Sequence, residues 1–113
     1  MTWRAQGLRA WVVQRVSAVY LAVFIVAALG WGIWNAPLAY AEWQAWLARP
    51  AVNVATGLFF AALLVHAWVG MRDIVIDYVR PTGLRFAALS LIALALYAMA
   101  AWVFLILVSV VAI

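Results

Sequence analysis

Polar and charged residues along the chain collect in short segments, and between them lie three long runs that are almost wholly apolar. The first extends from about Val16 to Trp34, the second from about Ala51 to Met71, and the third from Phe86 to Ile113. Each is near or above the ~20 residues that a helix needs to cross a ~30 Å hydrocarbon core. Barrel strands would alternate over about ten residues instead, and these runs do not. The pattern predicts an all-α integral membrane protein with three transmembrane helices, over about residues 12–35, 50–79 and 83–112 of a single anchor domain, 1–113. Between the first two runs, Pro37 and Pro50 bracket Glu42-Trp43-Gln44-Ala45-Trp46-Leu47. That segment is expected to form a short helix in the membrane interface, over about residues 39–48.

Arg4, Arg9 and Arg15, an apolar run and then Ala39-Tyr40-Ala41 mimic a secretory signal with its cleavage site. The run exceeds the roughly 7–15 residues of such a signal's apolar region, and two further spans follow, so the first helix is expected to stay.

Composition agrees with the pattern and closes off other classes. Of 113 residues, 73% are hydrophobic and 9% charged, against about 45–50% and about 25% in soluble domains. So little polar side chain cannot cover so much apolar surface in water, and disorder demands the opposite balance. The absence of cysteine excludes a disulfide framework, a thiolate metal site and a Cys-ligated iron–sulfur cluster.

Charge sets an expected orientation. Arg4, Arg9 and Arg15 precede the first span, and Arg72, Arg80 and Arg85 surround the second loop. With three spans these regions share one side, and the other side has only Arg49. Six arginines against one predict a cytoplasmic N-terminus and a periplasmic C-terminus. Trp3 and Trp11 near the inner boundary, with Trp31, Trp34, Trp43 and Trp46 near the outer one, read as interfacial belts.

Against this background the one histidine stands out. His66 lies about two-thirds of the way along the second span, where an ionisable group is costly and points to function. Ala62 and Gly70, four residues to either side, share its helix face and leave room for a flat ligand. Two readings fit these residues: an axial ligand of haem, or a neutral imidazole donating to another helix, with Ala and Gly serving close packing. As a haem ligand, a single histidine needs a second ligand from another chain.

Farther along, Asp77-Tyr78 precede Arg80-Pro81. Residues 66 and 77 are eleven apart, which on a continuous helix is about 20° past three full turns and a rise of about 16.5 Å. His66 within the bilayer and Asp77 at its cytoplasmic boundary would share a face, with Pro81 ending the helix soon after. A phenol, a carboxylate and a guanidinium there suit a quinone: Tyr78 donating to a carbonyl, Asp77 orienting or relaying protons, Arg80 favouring anionic intermediates. The same residues also fit an ordinary charged helix end with a snorkelling Arg and an interfacial Tyr. Arg15 reads as a positive-inside anchor or as a partner for an anionic group such as a haem propionate. Ser17 draws no role, Arg72 and Asp73 read as solvated, and Asn53 and Thr56 read as helix-packing polar groups.

His66-Ala67-Trp68-Val69-Gly70-Met71, continued by Asp77-Tyr78-Val79-Arg80-Pro81, closely resembles one of the two hydrophobic membrane anchors of bacterial succinate dehydrogenase, the succinate:quinone oxidoreductase or respiratory complex II. The resemblance is to the smaller, cytochrome b556-type anchor. Val13-Gln14-Arg15-Val16-Ser17-Ala18 resembles the start of that anchor's first helix, and the likeness covers essentially the whole chain. The resemblance implies that His66 is one axial ligand to the iron of a haem b, the other coming from the sister anchor. It further implies that Tyr78 and Asp77 belong to the ubiquinone site and that Arg15 lies near haem and quinone. Succinate would be oxidised at an FAD in a flavoprotein subunit, with electrons passing through the clusters of an iron–sulfur subunit to quinone at the anchors. On this resemblance the chain packs in lipid against its sister anchor in the bacterial inner membrane, engages no nucleic acid, and is an enzyme only as part of the assembly.

Three other readings compete. A transport subunit with His66 as a proton relay would need successive ionisable groups, and none of the three apolar runs contains Asp, Glu, Lys or Arg. An anchor without haem would have no need of His66. A fumarate reductase anchor is chemically close, and the resemblance favours succinate oxidation.

Overall fold

The computed structural model describes residues 3–111, with side chains from Gly7 onward. Trp3 and Arg4 therefore have side chains outside the described range, and the expected end of the last helix at 112 lies outside it too. Four helices follow in order: α1 (Trp3–Trp34), α2 (Tyr40–Ala48), α3 (Pro50–Tyr78) and α4 (Thr82–Val111). At about 1.5 Å per residue, the 32, 29 and 30 residues of α1, α3 and α4 reach about 44–48 Å. All three are long and apolar enough to cross a membrane, and together they fill an envelope of 50 × 25 × 25 Å.

The first helix departs from expectation by starting at Trp3 rather than near residue 12. Hydropathy marks where hydrocarbon begins, whereas helix formation depends on local propensity. Arg4, Ala5, Gln6, Leu8, Arg9 and Ala10 are good helix formers, so the helix runs on past the apolar span.

α3 begins with Pro50 in its first turn, where the missing N–H breaks no helical bond, after Arg49 in an extended conformation. It ends at Tyr78, where Val79 turns extended and still donates its N–H to the Val75 carbonyl at 2.9 Å. Pro81 follows two residues later, and the residue before a proline is pushed away from helical geometry.

α3 is the central helix: α1 and α4 each pack against it, and not against each other. Neighbours run antiparallel. The start of α1 and the end of α3 share one cleft, while the Asn53 amide of early α3 donates to the Leu107 carbonyl of late α4 at 3.1 Å. The same amide donates to the Leu47 carbonyl of α2, also at 3.1 Å, so one side chain ties three helices together. At the outer end, Trp31 stacks on Trp46 with ring centroids 4.3 Å apart, and Trp43 packs edge-on against both. Trp34 stands exposed beside this cluster.

Inside the described residues the core is thin. Leu21, Val69 and Val75 are the buried apolar side chains, and the buried polar ones are Ser17 and Thr56. A bilayer offers no hydrophobic drive for helix association, so contact depends on small residues and polar ties. Gly57 faces Leu107 and Gly70 faces Gln14, each at a distance where an added Cβ would meet them at 3.6 Å. Tyr20 donates its hydroxyl to the Ala55 carbonyl at 2.7 Å, and Phe24 stacks on Phe59.

Candidate functional site

The polar residues of the membrane interior meet at the crossing of α1 and α3. Ser17, 7% exposed, sits on the α1 face that packs against α3. Its Oγ lies 3.0 Å from His66 Nδ1 and 3.1 Å from the carbonyl of Gln14 one turn back, to which it donates. His66 is half-buried, and among the described residues Nδ1 is its hydrogen-bonded ring nitrogen, with Nε2 making no such bond. The imidazole is thus held at one edge and free at the other.

Its flanking small residues do different things. Ala62 lines an apolar groove of about 570 Å³ with Val13, Ser17, Tyr20, Ala61 and Val65. That volume lies within the roughly 300–1,000 Å³ typical of ligand sites. Gly70 instead faces Gln14 of α1, so its missing side chain serves helix contact rather than opening space beside the ring. Gln14 has a buried side-chain oxygen without a hydrogen-bond partner among the described residues.

A second, larger cleft of about 930 Å³ opens at the boundary end, between early α1 and late α3. Trp11, Gln14, Arg15, Arg72 and Asp73 supply its polar and aromatic wall. Arg15 lies over the Trp11 ring at 5.4 Å, which holds a cation at the membrane edge by its attraction to the ring's negative face. Arg72 and Asp73 pair with each other at 3.2 Å and are partly solvent-exposed, so this pair adds little to stability. His66 lines neither cavity; its place on α3 falls between Val65 of the groove and Val69 of the cleft.

α3 is unbroken to Tyr78, so His66 and Asp77 occupy one continuous helix. Asp77 is exposed, and the Tyr78 ring is 78% exposed. Neither side chain hydrogen-bonds within the described chain, and neither lines the two cavities at α1. The structure therefore gathers Ser17, His66 and Gln14, sets Arg15 at the cleft's rim, and leaves Asp77 and Tyr78 on an open ledge.

That ledge is fixed by Arg85, whose Nε donates to the Val79 carbonyl and whose terminal nitrogen donates to the Ile76 carbonyl, each at 3.0 Å. Arginine in the first turn of α4 opposes that helix's dipole, and the carbonyl end of α3 offsets the mismatch. Ser17 and Arg85 are the residues that sequence reasoning passed over. The signal for Arg85 was available: a cation in a helix's first turn, just after another helix ends, has orphan carbonyls within reach.

Residues 1–112 match the family described as succinate dehydrogenase/fumarate reductase transmembrane subunit. The chain is also 30% identical, over 97 residues, to a succinate dehydrogenase hydrophobic membrane anchor subunit from Coxiella burnetii (strain RSA 493 / Nine Mile phase I), covering 86% of this chain and 84% of that one.

Proposed function

The chain belongs to the succinate dehydrogenase/fumarate reductase transmembrane subunit family, and from that premise we propose that it is one of two hydrophobic anchors of a succinate:ubiquinone oxidoreductase. In this reading it lies in the bacterial inner membrane with its N-terminus and the α3–α4 turn in the cytoplasm. Support comes from the common end of the bundle that carries Arg9, Arg15, Arg72, Arg80 and Arg85, opposite Arg49. Succinate oxidation is favoured over fumarate reduction by the name of the Coxiella relative.

His66 provides one axial ligand to a b-type haem, and the sister anchor provides the other. The observation that carries this is the state of the imidazole: Nδ1 engaged by Ser17, Nε2 without a hydrogen bond, and an apolar groove alongside. Among the described residues no group of three or more His, Cys, Asp or Glu side chains gathers. One imidazole from this chain suits a metal whose four equatorial positions are already filled by a macrocycle. Bound there, haem would supply one-electron storage between the two anchors. Arg15, at the rim of the cleft near the same end, is placed to meet an anionic substituent at the bilayer edge.

Tyr78 and Asp77 form this chain's share of the ubiquinone site. An exposed phenol and an exposed carboxylate, on a helix end clamped by Arg85, offer a donor and a proton acceptor without a binding cavity of their own. The site is closed by the iron–sulfur subunit and the sister anchor, and FAD and the clusters reside in the soluble subunits. Tyr78 donates to a quinone carbonyl, and Asp77 passes protons from the cytoplasmic side as the carbonyls become hydroxyls.

A redox difference spectrum of the purified complex, wild type against His66→Ala, tests the haem assignment. Loss of the b-type signal with the soluble subunits still active is expected. An unchanged signal would remove His66 as ligand.

A further inference from the structure

We infer that Ser17 is a positioning residue for His66, fixing the imidazole in the tautomer that carries its proton on Nδ1 and presents a bare Nε2. The inference rests on His66 being the metal ligand and goes beyond it by assigning what selects and aims that ligand.

A serine hydroxyl has one proton and two lone pairs. Ser17 Oγ has two contacts at hydrogen-bond distance, the Gln14 carbonyl at 3.1 Å and His66 Nδ1 at 3.0 Å. The carbonyl can only accept. If the hydroxyl proton goes to the carbonyl, Nδ1 must be protonated and donates into a hydroxyl lone pair, so both contacts are hydrogen bonds. If the hydroxyl donates to Nδ1 instead, two oxygens face each other at 3.1 Å with no proton between them. Ser17 is 7% exposed and sits within a membrane span, where no bulk water is at hand to relieve that contact. The first arrangement is the lower in energy.

Its consequence is chemical. With the proton on Nδ1, the Nε2 lone pair is free and lies in the plane of a ring held from behind by α1. The relay runs from the Gln14 carbonyl through the Ser17 hydroxyl to the imidazole, so the α1 backbone sets the ring's rotation. A hydrogen bond from Nδ1–H also makes the imidazole a stronger donor at Nε2, which favours the ferric over the ferrous state of a bound iron. Ser17 and Ala62 line the same apolar groove, so the positioning group stands beside the space a flat ligand would enter.

The test uses the purified complex with His66→Ala, Ser17→Ala, Ser17→Thr and Ser17→Val. It reads haem content per complex and the haem midpoint potential by optical redox titration. Ser17→Thr keeps the hydroxyl and is expected to match wild type. Ser17→Val is close to threonine in shape but lacks the hydroxyl. Like Ser17→Ala, it is expected to weaken haem retention by about 10–100-fold, the usual effect of losing such a support. Both are also expected to raise the midpoint, by about 59 mV for each tenfold loss of ferric preference in this one-electron couple. Assembly of the threonine variant but not the valine one would equally support the hydroxyl's role. Equal behaviour of threonine and valine, including failure of both to assemble, would overturn it in favour of packing. Wild-type haem in every Ser17 variant, with haem lost in His66→Ala, would overturn the role of Ser17 and leave the ligand. Wild-type haem in His66→Ala would overturn both.

Discussion

Tyr78→Phe separates the quinone chemistry from the fold. The substitution removes one oxygen from a ring that is 78% exposed and whose hydroxyl makes no hydrogen bond within the described chain. Removing an exposed, unbonded hydroxyl should change the stability of the anchor by less than about 0.5 kcal/mol. The functional cost is one hydrogen bond to a quinone carbonyl, worth about 0.5–1.5 kcal/mol net. At about 1.4 kcal/mol per tenfold, that is roughly a 2–13-fold fall in kcat/KM for ubiquinone. Two assays on one preparation read it: succinate-dependent reduction of a soluble ubiquinone analogue, and succinate-dependent reduction of a dye that takes electrons from the soluble subunits. The first should fall by that factor and the second should hold. Unchanged quinone kinetics would refute the donor role. Equal loss in both assays would show an assembly defect, and the claim that the hydroxyl is structurally idle would be wrong.

Three further outcomes follow from contacts elsewhere in the fold. Arg85→Leu removes two guanidinium bonds from the end of α3, roughly 1–2 kcal/mol in total. Amides of Ile76–Val79 should then exchange with deuterium about 5–30-fold faster, and unchanged exchange would show that Arg85 does not hold the ledge. Asn53→Leu gives up bonds to α2 and α4 at about 0.6 kcal/mol each. It should lower the thermal midpoint of the complex while leaving its optical spectrum intact. Gly70→Ala should be tolerated, because the new Cβ would meet Gln14 at an ordinary 3.6 Å. Gly70→Leu should wedge α1 from α3 and cost haem content, and full haem in that variant would place the α1–α3 contact elsewhere.

Legibility divided along a physical line. Three spans, their approximate lengths and the prominence of His66 were all readable from the chain, because hydrocarbon admits a lone segment only as a helix that satisfies its own backbone. A single imidazole among residues that cannot ionise is visible without coordinates. The same rule explains the misplaced start of α1, since hydropathy records the bilayer edge and Trp3–Arg15 form helix beyond it.

The pairing of helices was another matter. α1, α3 and α4 are apolar on nearly every face, so amphipathic periodicity marks no side of them as inward. Nothing in the sequence spacing brings Ser17 to His66, forty-nine residues away, or turns Gly70 toward Gln14 rather than toward a ligand. Arg85 counted as a charge on one side of a membrane until the α3–α4 turn put it on two carbonyls. Asp77 and Tyr78 stay on an open ledge because the rest of their site belongs, in the proposed assembly, to other chains. Sequence alone determined the solvent of this protein and therefore its helices, through the cost of unsatisfied backbone in lipid. Tertiary structure decided which polar atoms meet, because lipid does not distinguish one apolar helix face from another and only close packing does.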